Sequence, residues 1–464
     1  MIHAMRSAYE RLPQPVRIAM GTTVRRLPVA VRYGRAFVDE WRLIDAVEHD
    51  EKAAVRVVEA RLSSVFEACR TSPFWRQHLG KVLDATPESL REALEHIEPI
   101  DKEVLRAQLD DMRSAQWTKR NSKLVSTGGT TGAQVGIWLE RDASLRDWAH
   151  VVRSWGRVGF RLDEPRVVLR GVRFGGEHRE VVHYEPVRRE LYVSPFDLDA
   201  EHLPEIMDAI DGFGARFMHG YPSALETLGR AYVSLGRCVP KLQALLVVSE
   251  NVFPDQRRRL EELFGTRVFS IYGLSERCCF ASECEQSSEM HVHETYGIVE
   301  LLDEEGNVIT EPGVRGEIVA TGLISTTMPL VRYRTGDYAA WAAGECPCGR
   351  PGPRLTSIEG RWKREYLLSS AGVPIYITAI NVHSPALLRV ARYRFVQERA
   401  GEATLLIQPG PGFHAEDAHT ILNEMAGKLT GQVRLELEVV DEIPLSPRGK
   451  HLFIDQRIKG VHDG

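Results

Sequence analysis

From about residue 160 this chain alternates short apolar, β-branched runs with amphipathic stretches of helical period, and that alternation commits it to a largely parallel sheet. Arg166–Arg170 (RVVLR), Gln243–Ser249 (QALLVVS) and Arg267–Ile271 (RVFSI) read as buried strands. Between them, Glu201–Asp211 and Ser223–Leu235 carry apolar residues at helical spacing. Phe253–Gly265 has Pro254 near its start and Gly265 just past its end, the asymmetry of a helix. Ahead of residue 120 the chain reads mostly as helix. In Glu51–Arg70, Val55, Val58, Leu62, Val65, Phe66 and Cys69 fall on one face, and Ser72-Pro73 stops it.

The pattern changes again between about 297 and 345. Gly297–Leu302, a turn at Glu304–Asn307 and Gly316–Thr321 suggest an antiparallel β subdomain. After Gly360 a third block has strand candidates near 389–396, 403–408 and 433–440, with one helix near 415–429. The expected architecture is α/β. A large N-terminal domain (1–361) would have mostly parallel sheets plus the β subdomain, followed by a small α+β C-terminal domain (362–464). The 464 residues accommodate this, at roughly 100–200 residues per domain.

Composition excludes several classes. With 43% hydrophobic and 27% charged residues, the chain is neither collagen-like nor wholly disordered. A net charge of −5 and a pI near 6.4 lack the basic footprint of a nucleic-acid binder, so no nucleic-acid partner is expected. Seven cysteines, six of them after residue 200, do not make a small disulfide scaffold. No apolar run approaches the ~18 residues of a membrane span. Met1–Met20 is broken by Arg6, Arg11, Arg17 and two prolines and lacks the apolar core of a secretory signal. A reducing, cytoplasmic setting is expected.

Residues 124–136 read LVSTGGTTGAQVG. Glycines let backbone N–H groups approach a phosphate, and Ser/Thr hydroxyls add donors. No Gly-Lys-Ser/Thr follows, and GxGxxG is absent, so neither common nucleotide fingerprint applies. Taken alone, the segment is equally a flexible turn.

Further motifs follow in order: IYGLSE at 271–276, VRYRTGD at 331–337, GRWK at 360–363 and PRGK at 447–450. To these add His219-Gly220-Tyr221-Pro222-Ser223, Ser249-Glu250, Met328-Pro329-Leu330-Val331-Arg332-Tyr333 and Cys346-Pro347-Cys348-Gly349-Arg350. From about residue 10 to the C-terminus, the chain resembles the adenylate-forming superfamily of acyl- and aryl-CoA ligases. Its nearest branch resembles phenylacetate–CoA ligase and the capsule-biosynthesis adenylate-forming proteins.

The resemblance implies a carboxylic acid substrate, ATP and Mg²⁺, with CoA as acceptor. An amine, a sugar or a carrier protein is the rival acceptor, and a non-catalytic nucleotide-binding scaffold is the rival of another class. It also implies roles. Ser126, Thr127, Gly128, Gly129, Thr130, Thr131 and Gly132 would cradle phosphates, with Thr131 among the catalytic groups. Glu276 would hold Mg²⁺, Tyr272 would stack on adenine, Gly273 would admit close approach, and Asp337 would bind the ribose. Ser249, Glu250, Ser275 and Arg361 would complete the ATP site. Lys363 matches the hinge position of a mobile small domain, although Arg364 departs from the acidic residue common there. Lys450 would be the catalytic lysine of adenylation; ten of the 59 basic residues are lysine, so each stands out.

Trp155, Tyr184, His219, Tyr221 and Pro222 are candidates for the acyl pocket, and each is also a credible core residue. The segment 168–184, rich in Arg and His, suits either a contact to an acidic substrate or a solvated loop. Cys284, His291, Cys346 and Cys348 make a donor set for structural Zn²⁺, with Cys278, Cys279 and His293 as substitutes. A homodimer is entertained as the assembly.

Overall fold

The computed structural model describes residues 12–84, 90–127, 135–170, 181–360, 365–380, 382, 384–410, 412–429, 431–444 and 453–458. Its expected α/β character is present. The strands of the large part are β1 (Ser122–Thr127), β2 (Val135–Glu140), β3 (Arg166–Leu169), β4 (Val182–Glu185), β5 (Glu190–Val193), β6 (Phe217–Gly220), β7 (Ala244–Val247) and β8 (Arg267–Gly273). They continue with β9 (Phe280–Ser282), β10 (Met290–Val292), β11 (Gly297–Leu302), β12 (Arg315–Gly322), β13 (Tyr333–Trp341) and β14 (Arg354–Glu359).

β1 and β2 form an antiparallel hairpin of their own. The other twelve join in the order β11-β12-β13-β14-β10-β9-β8-β7-β6-β3-β5-β4. Strands β8, β7, β6, β3 and β5 run parallel. Every residue of β3, β6 and β7 is buried, as a sheet covered on both faces requires. On its other side β8 pairs antiparallel with β9, through Ile271↔Ser282 and Tyr272↔Ala281. The antiparallel strands expected as a subdomain are therefore continuous with the parallel sheet through β8.

Helices follow the sequence signals closely. Glu51–Arg70 starts where the Asp50 side chain accepts the Ala53 N–H. Pro254–Phe264 ends at Gly265, whose φ of 58° is the left-handed stop that glycine makes easily. The helix expected at 201–211 instead spans Leu203–Phe213. Asp199 explains the delay, because its carboxylate accepts the Glu201 and His202 N–H groups in a turn that precedes the helix.

The last hundred residues build a separate four-stranded sheet, β19-β18-β17-β20, from β17 (Val390–Arg399), β18 (Glu402–Pro409), β19 (Arg434–Val439) and β20 (Ile454–Gln456). The helix Ala415–Leu429 buries Ala418, Ile421, Met425 and Leu429 in one cluster with Phe395, Leu405 and Ile407 of this sheet. A small hairpin, β15 (Tyr366–Leu368) with β16 (Pro374–Tyr376), precedes it. The Gln432 amide donates to Asp197 at 2.8 Å, tying this unit to the large one. Among the described residues, no helix is long and apolar enough to cross a membrane.

A buried polar relay fastens the N-terminal helices. Glu40, on the helix Arg35–Val47, is 3% exposed and accepts from both ends of the Arg61 guanidinium at 2.6 and 3.0 Å. His150 Nε2 lies 2.9 Å from Glu40, and its Nδ1 lies 2.9 Å from His293 Nδ1. Burial alone would raise the Glu40 pKa, but the hydrogen bonds from His150 and Arg61 outweigh it and lower the value to about 2. A depressed carboxyl pKa stabilises the fold above its ordinary value of 4.5, and this contribution is lost as pH falls from there toward 2. Glu40→Gln should leave the part-buried Arg61 without its anion and cost about 3 kcal/mol at neutral pH. Urea melts should show this gap narrowing between pH 4.5 and the acid limit of folding; an equal gap at both ends would contradict the assignment.

Candidate active site

The carboxyl ends of the parallel strands are where an open α/β sheet offers a crevice. Here they border a cavity of about 650 Å³. β8 delivers Tyr272 and Gly273, and the turn after it Ser275, Glu276 and Arg277; β7 leads into Ser249, Glu250 and Asn251; β6 supplies His219 and then Tyr221. β3 supplies Arg166 and Val168 and is followed by Arg170, while β13 supplies Asp337. Ser249 (φ 69°) and Arg277 (φ 54°) hold left-handed backbone without being glycine, a strain that concentrates at working sites.

At the β8 end, the Tyr272 hydroxyl donates to Asp337 Oδ2 at 3.0 Å. Burial first, and the Asp337 charge next, hold the Tyr272 phenol well above its usual pKa, so it stays a neutral donor. Glu276 is 4% exposed, a buried carboxylate at the cavity wall. Its Oε1 accepts the Tyr333 hydroxyl at 2.9 Å, and Lys102 Nζ lies 3.9 Å away. Sequence reasoning missed Lys102; its one signal was the scarcity of lysine. Glu250 accepts both the N–H and the hydroxyl of Ser223, at 3.1 and 2.9 Å. Ser223 lies in the first turn of the helix Pro222–Ser234, so Glu250 compensates a helix N-terminus as well as lining the cavity.

Toward β3 the cavity turns aromatic. Trp155 is fully buried, edge-on to Trp148 and Phe160, with the His219 ring 4.8 Å away. Burial, then the charges of Arg170 and Arg166, hold the His219 pKa well below the usual range, so the imidazole is neutral. Its Nδ1–H donates to the Leu246 carbonyl at 2.9 Å, leaving the Nε2 lone pair toward Arg170 at 3.5 Å. Of the five acyl-pocket candidates, Trp155, His219 and Tyr221 line the cavity. Tyr184 instead packs against Phe213, 5.6 Å between rings, and Pro222 opens a helix.

Two further residues escaped the sequence reading. Asn251 brackets the Gly360 backbone, accepting its N–H and donating to its carbonyl, each at 3.2 Å. Lys428, from the last turn of Ala415–Leu429, lines the cavity from the C-terminal unit. Ser126 and Thr127 end β1, in register with Gly136 and Val135. Gly128, Gly129, Thr130, Thr131, Gly132, Arg361, Lys363 and Lys450 lie outside the described residues.

A second cluster forms away from the cavity. Cys284, His291, Cys346 and Cys348 place their donor atoms within 4.8 Å of one another. Cys284 Sγ and Cys346 Sγ are 3.6 Å apart, and Cys348 Sγ is 3.5 Å from His291 Nε2. His293 is committed to the His150 relay, with its Nε2 3.0 Å from Ser282 Oγ. Cys278 and Cys279 are sealed in an apolar core cluster. None of the three substitutes belongs to the four-donor group.

Residues 124–328 match the AMP-binding enzyme family. The chain is 31% identical over 212 residues to a phenylacetate-coenzyme A ligase of Thermus thermophilus, a match covering 44% of this chain and 47% of that protein. It thus spans about half the length of that relative. It is 22% identical over 359 residues to protein CapK of Staphylococcus aureus, covering 74% and 76% of the two chains. The fold is similar to that of 2-hydroxyisobutyryl-CoA ligase in complex with 2-HIB-AMP and CoA, with a TM-score of 0.56 and 20% identity over 88% of this chain and 91% of that one.

Gly220 shows how closely the strands meet at this crevice. A Cβ placed there would lie 2.5 Å from the Leu169 carbonyl oxygen and 2.9 Å from Leu169 Cβ. Gly220→Ala should therefore push β6 from β3 and cost about 2 kcal/mol. A melting temperature equal to that of the unchanged protein would refute this contact.

Proposed function

We propose that this chain, a member of the adenylate-forming superfamily through its AMP-binding segment at residues 124–328, activates a carboxylic acid with ATP and passes the acyl group to CoA. The observation that carries the reading is the division of one cavity. Tyr272, Glu276, Asp337 and Ser249 stand at its β8 and β7 end, and Trp155, His219 and Tyr221 at its β6 and β3 end.

In the first step a carboxylate oxygen attacks the α-phosphorus, the bond to the β-phosphate breaks, and pyrophosphate leaves. In the second, the CoA thiol, giving up its proton, attacks the acyl carbonyl and AMP departs. Anion must meet anion in the first step, so positioned positive charge is the main requirement. Asp337, already holding the Tyr272 hydroxyl, is placed to take ribose hydroxyls. At Gly273 a Cβ would meet only ordinary packing, with Phe280 at 3.4 Å, so a ligand is the better reason for glycine there. Glu276 suits Mg²⁺: it is a buried carboxylate held by Tyr333 and bordering the cavity, and oxygen is the donor a hard cation takes. Bound there, the ion would neutralise phosphate charge. Thr127–Gly132 as phosphate cradle, Arg361 at the nucleotide, Lys363 as hinge between units 1–361 and 362–464, and Lys450 as catalytic lysine complete the proposal.

Pyrophosphate release across a panel of aryl and aliphatic acids, with and without CoA, tests it. The expected result is release with one acid and a thioester mass when CoA is present. Lys450→Ala should slow adenylation by about 100-fold or more while ATP still binds. Release without a thioester would transfer the acceptor role to an amine, sugar or carrier protein.

We also propose Zn²⁺ at Cys284, His291, Cys346 and Cys348. Tetrahedral thiolate coordination at ~2.3 Å sets neighbouring donors roughly 3.7 Å apart, close to the observed 3.5 and 3.6 Å. With four protein donors the site is closed, and the role is structural. Burial first, with the Cys346 contact adding to it, pushes the Cys284 thiol up to about 11, so metal binding must expel its proton. Chelator-washed protein should retain about one zinc per chain and lose it faster as pH falls. Less than about a tenth of an equivalent would sink the assignment.

A further inference from the structure

The acyl end of the cavity is more cationic than a site for a plain aryl or alkyl acid needs. Among the described residues, Arg166, Arg170 and Arg188 line it on β3 and the approach to β5, where Glu190 is the carboxylate beside them. Glu190 is spent: it pairs with Arg166 and accepts the Tyr192 hydroxyl. Arg188 sits in the field of Glu190 and Glu185, whereas among the described residues Arg170 has no carboxylate within ion-pair distance and its guanidinium meets the neutral His219 Nε2 at 3.5 Å. The wall also holds unspent donors. Arg166 Nε and Trp155 Nε1 are buried N–H groups without a partner, on residues 4% and 1% exposed. A buried donor left unmade costs free energy, so these positions call for an acceptor.

Placement separates this wall from the nucleotide end. From β8, which carries Tyr272, to β3, which leads into Arg170, there are three strand spacings, β8-β7-β6-β3. At ~4.8 Å each they span about 14 Å. That exceeds the reach of a reacting carboxylate and leaves Arg170 at the far end of the acid.

We propose that the acid this site takes carries a second, distal carboxylate, which Arg170 binds with Arg166 and Trp155 as supporting donors, while the first carboxylate is presented to ATP. The proposal rests on the adenylation reading and adds the substrate class to it. The Trp155 face and the Tyr221 ring suit the apolar spacer between the two carboxylates. An acid without the distal group would leave Arg170 desolvated and uncompensated, and that loss discriminates against it strongly.

The test uses matched probes on the full chain: adipate against hexanoate, and 4-carboxyphenylacetate against phenylacetate. Pyrophosphate release should favour the diacid of at least one pair by about 100-fold in kcat/KM. Arg170→Met should collapse that ratio by about the same factor, and Arg170→Lys should restore part of it. A variant that merely disturbs folding would lower both acids together and leave the ratio intact, which would overturn the proposal, as would preference for both monoacids. Calorimetric binding of the same probes without ATP separates the two levels. Diacid binding that Arg170→Met abolishes, with no pyrophosphate from any acid, upholds the distal-carboxylate site and sinks adenylation. Pyrophosphate from monoacids alone upholds adenylation and sinks the distal-carboxylate site. Binding of neither diacid overturns the proposal.

Discussion

Strand β8 is the constraint on which the rest depends. It hydrogen-bonds in parallel to β7 and in antiparallel to β9, so one seven-residue segment belongs to two kinds of sheet. A parallel partner demands a crossover helix, here Pro254–Phe264, and an antiparallel partner permits a short turn. The turn between β8 and β9 holds Glu276 and Arg277, with the strained backbone at Arg277. The change of strand sense thus creates the place where a carboxylate can be buried and still face the crevice. Asp337 on β13 comes within reach of Tyr272 because the antiparallel strands fold back from that same seam.

Two kinds of electrostatic environment flank this seam. At the β8 end each carboxylate accepts an uncharged hydroxyl, Asp337 from Tyr272 and Glu276 from Tyr333, and Glu276 has the Lys102 ammonium 3.9 Å away as well. At the opposite end, among the described residues, guanidinium groups outnumber carboxylates, and that of Arg166 lies 5.3 Å from the Trp155 centroid and 5.4 Å from that of Phe160. One crevice therefore carries a gradient from anionic to cationic lining along the strand order. A ligand with unlike ends would be oriented by that gradient before any single contact closed.

Much of this was legible in the sequence, for physical reasons that differ by element. The parallel strands announced themselves as continuous apolar runs because both faces are covered, and the helix Pro254–Phe264 because Pro and Gly punctuate it. The four-residue Cys/His cluster was readable although Cys284 and Cys346 are 62 residues apart, because sulfur and imidazole in tight spacing have few other uses in a core. Contacts made only by tertiary placement were not legible. Tyr184 and Tyr221 look alike as letters, yet β4 turns the first onto Phe213 while the end of β6 carries the second to the crevice. Lys102, Asn251 and Lys428 sit in no motif; each matters only because a distant element brings it to Glu276, Gly360 or the cavity wall.

The N-terminal helices bind partners that lie far downstream. Arg61 donates to the Thr295 carbonyl, the Ile100 N–H donates to the Arg332 carbonyl, and Arg350 reaches Glu48 across 302 residues. A chain emerging from the ribosome presents these helices first and their anchors last. Through most of translation, Val58, Leu62, Val65 and Phe66 have no completed core to enter. The order of synthesis runs opposite to the order in which this part of the structure can close, so its yield in a cell depends on how well the first hundred residues are shielded while the next two hundred and fifty are made.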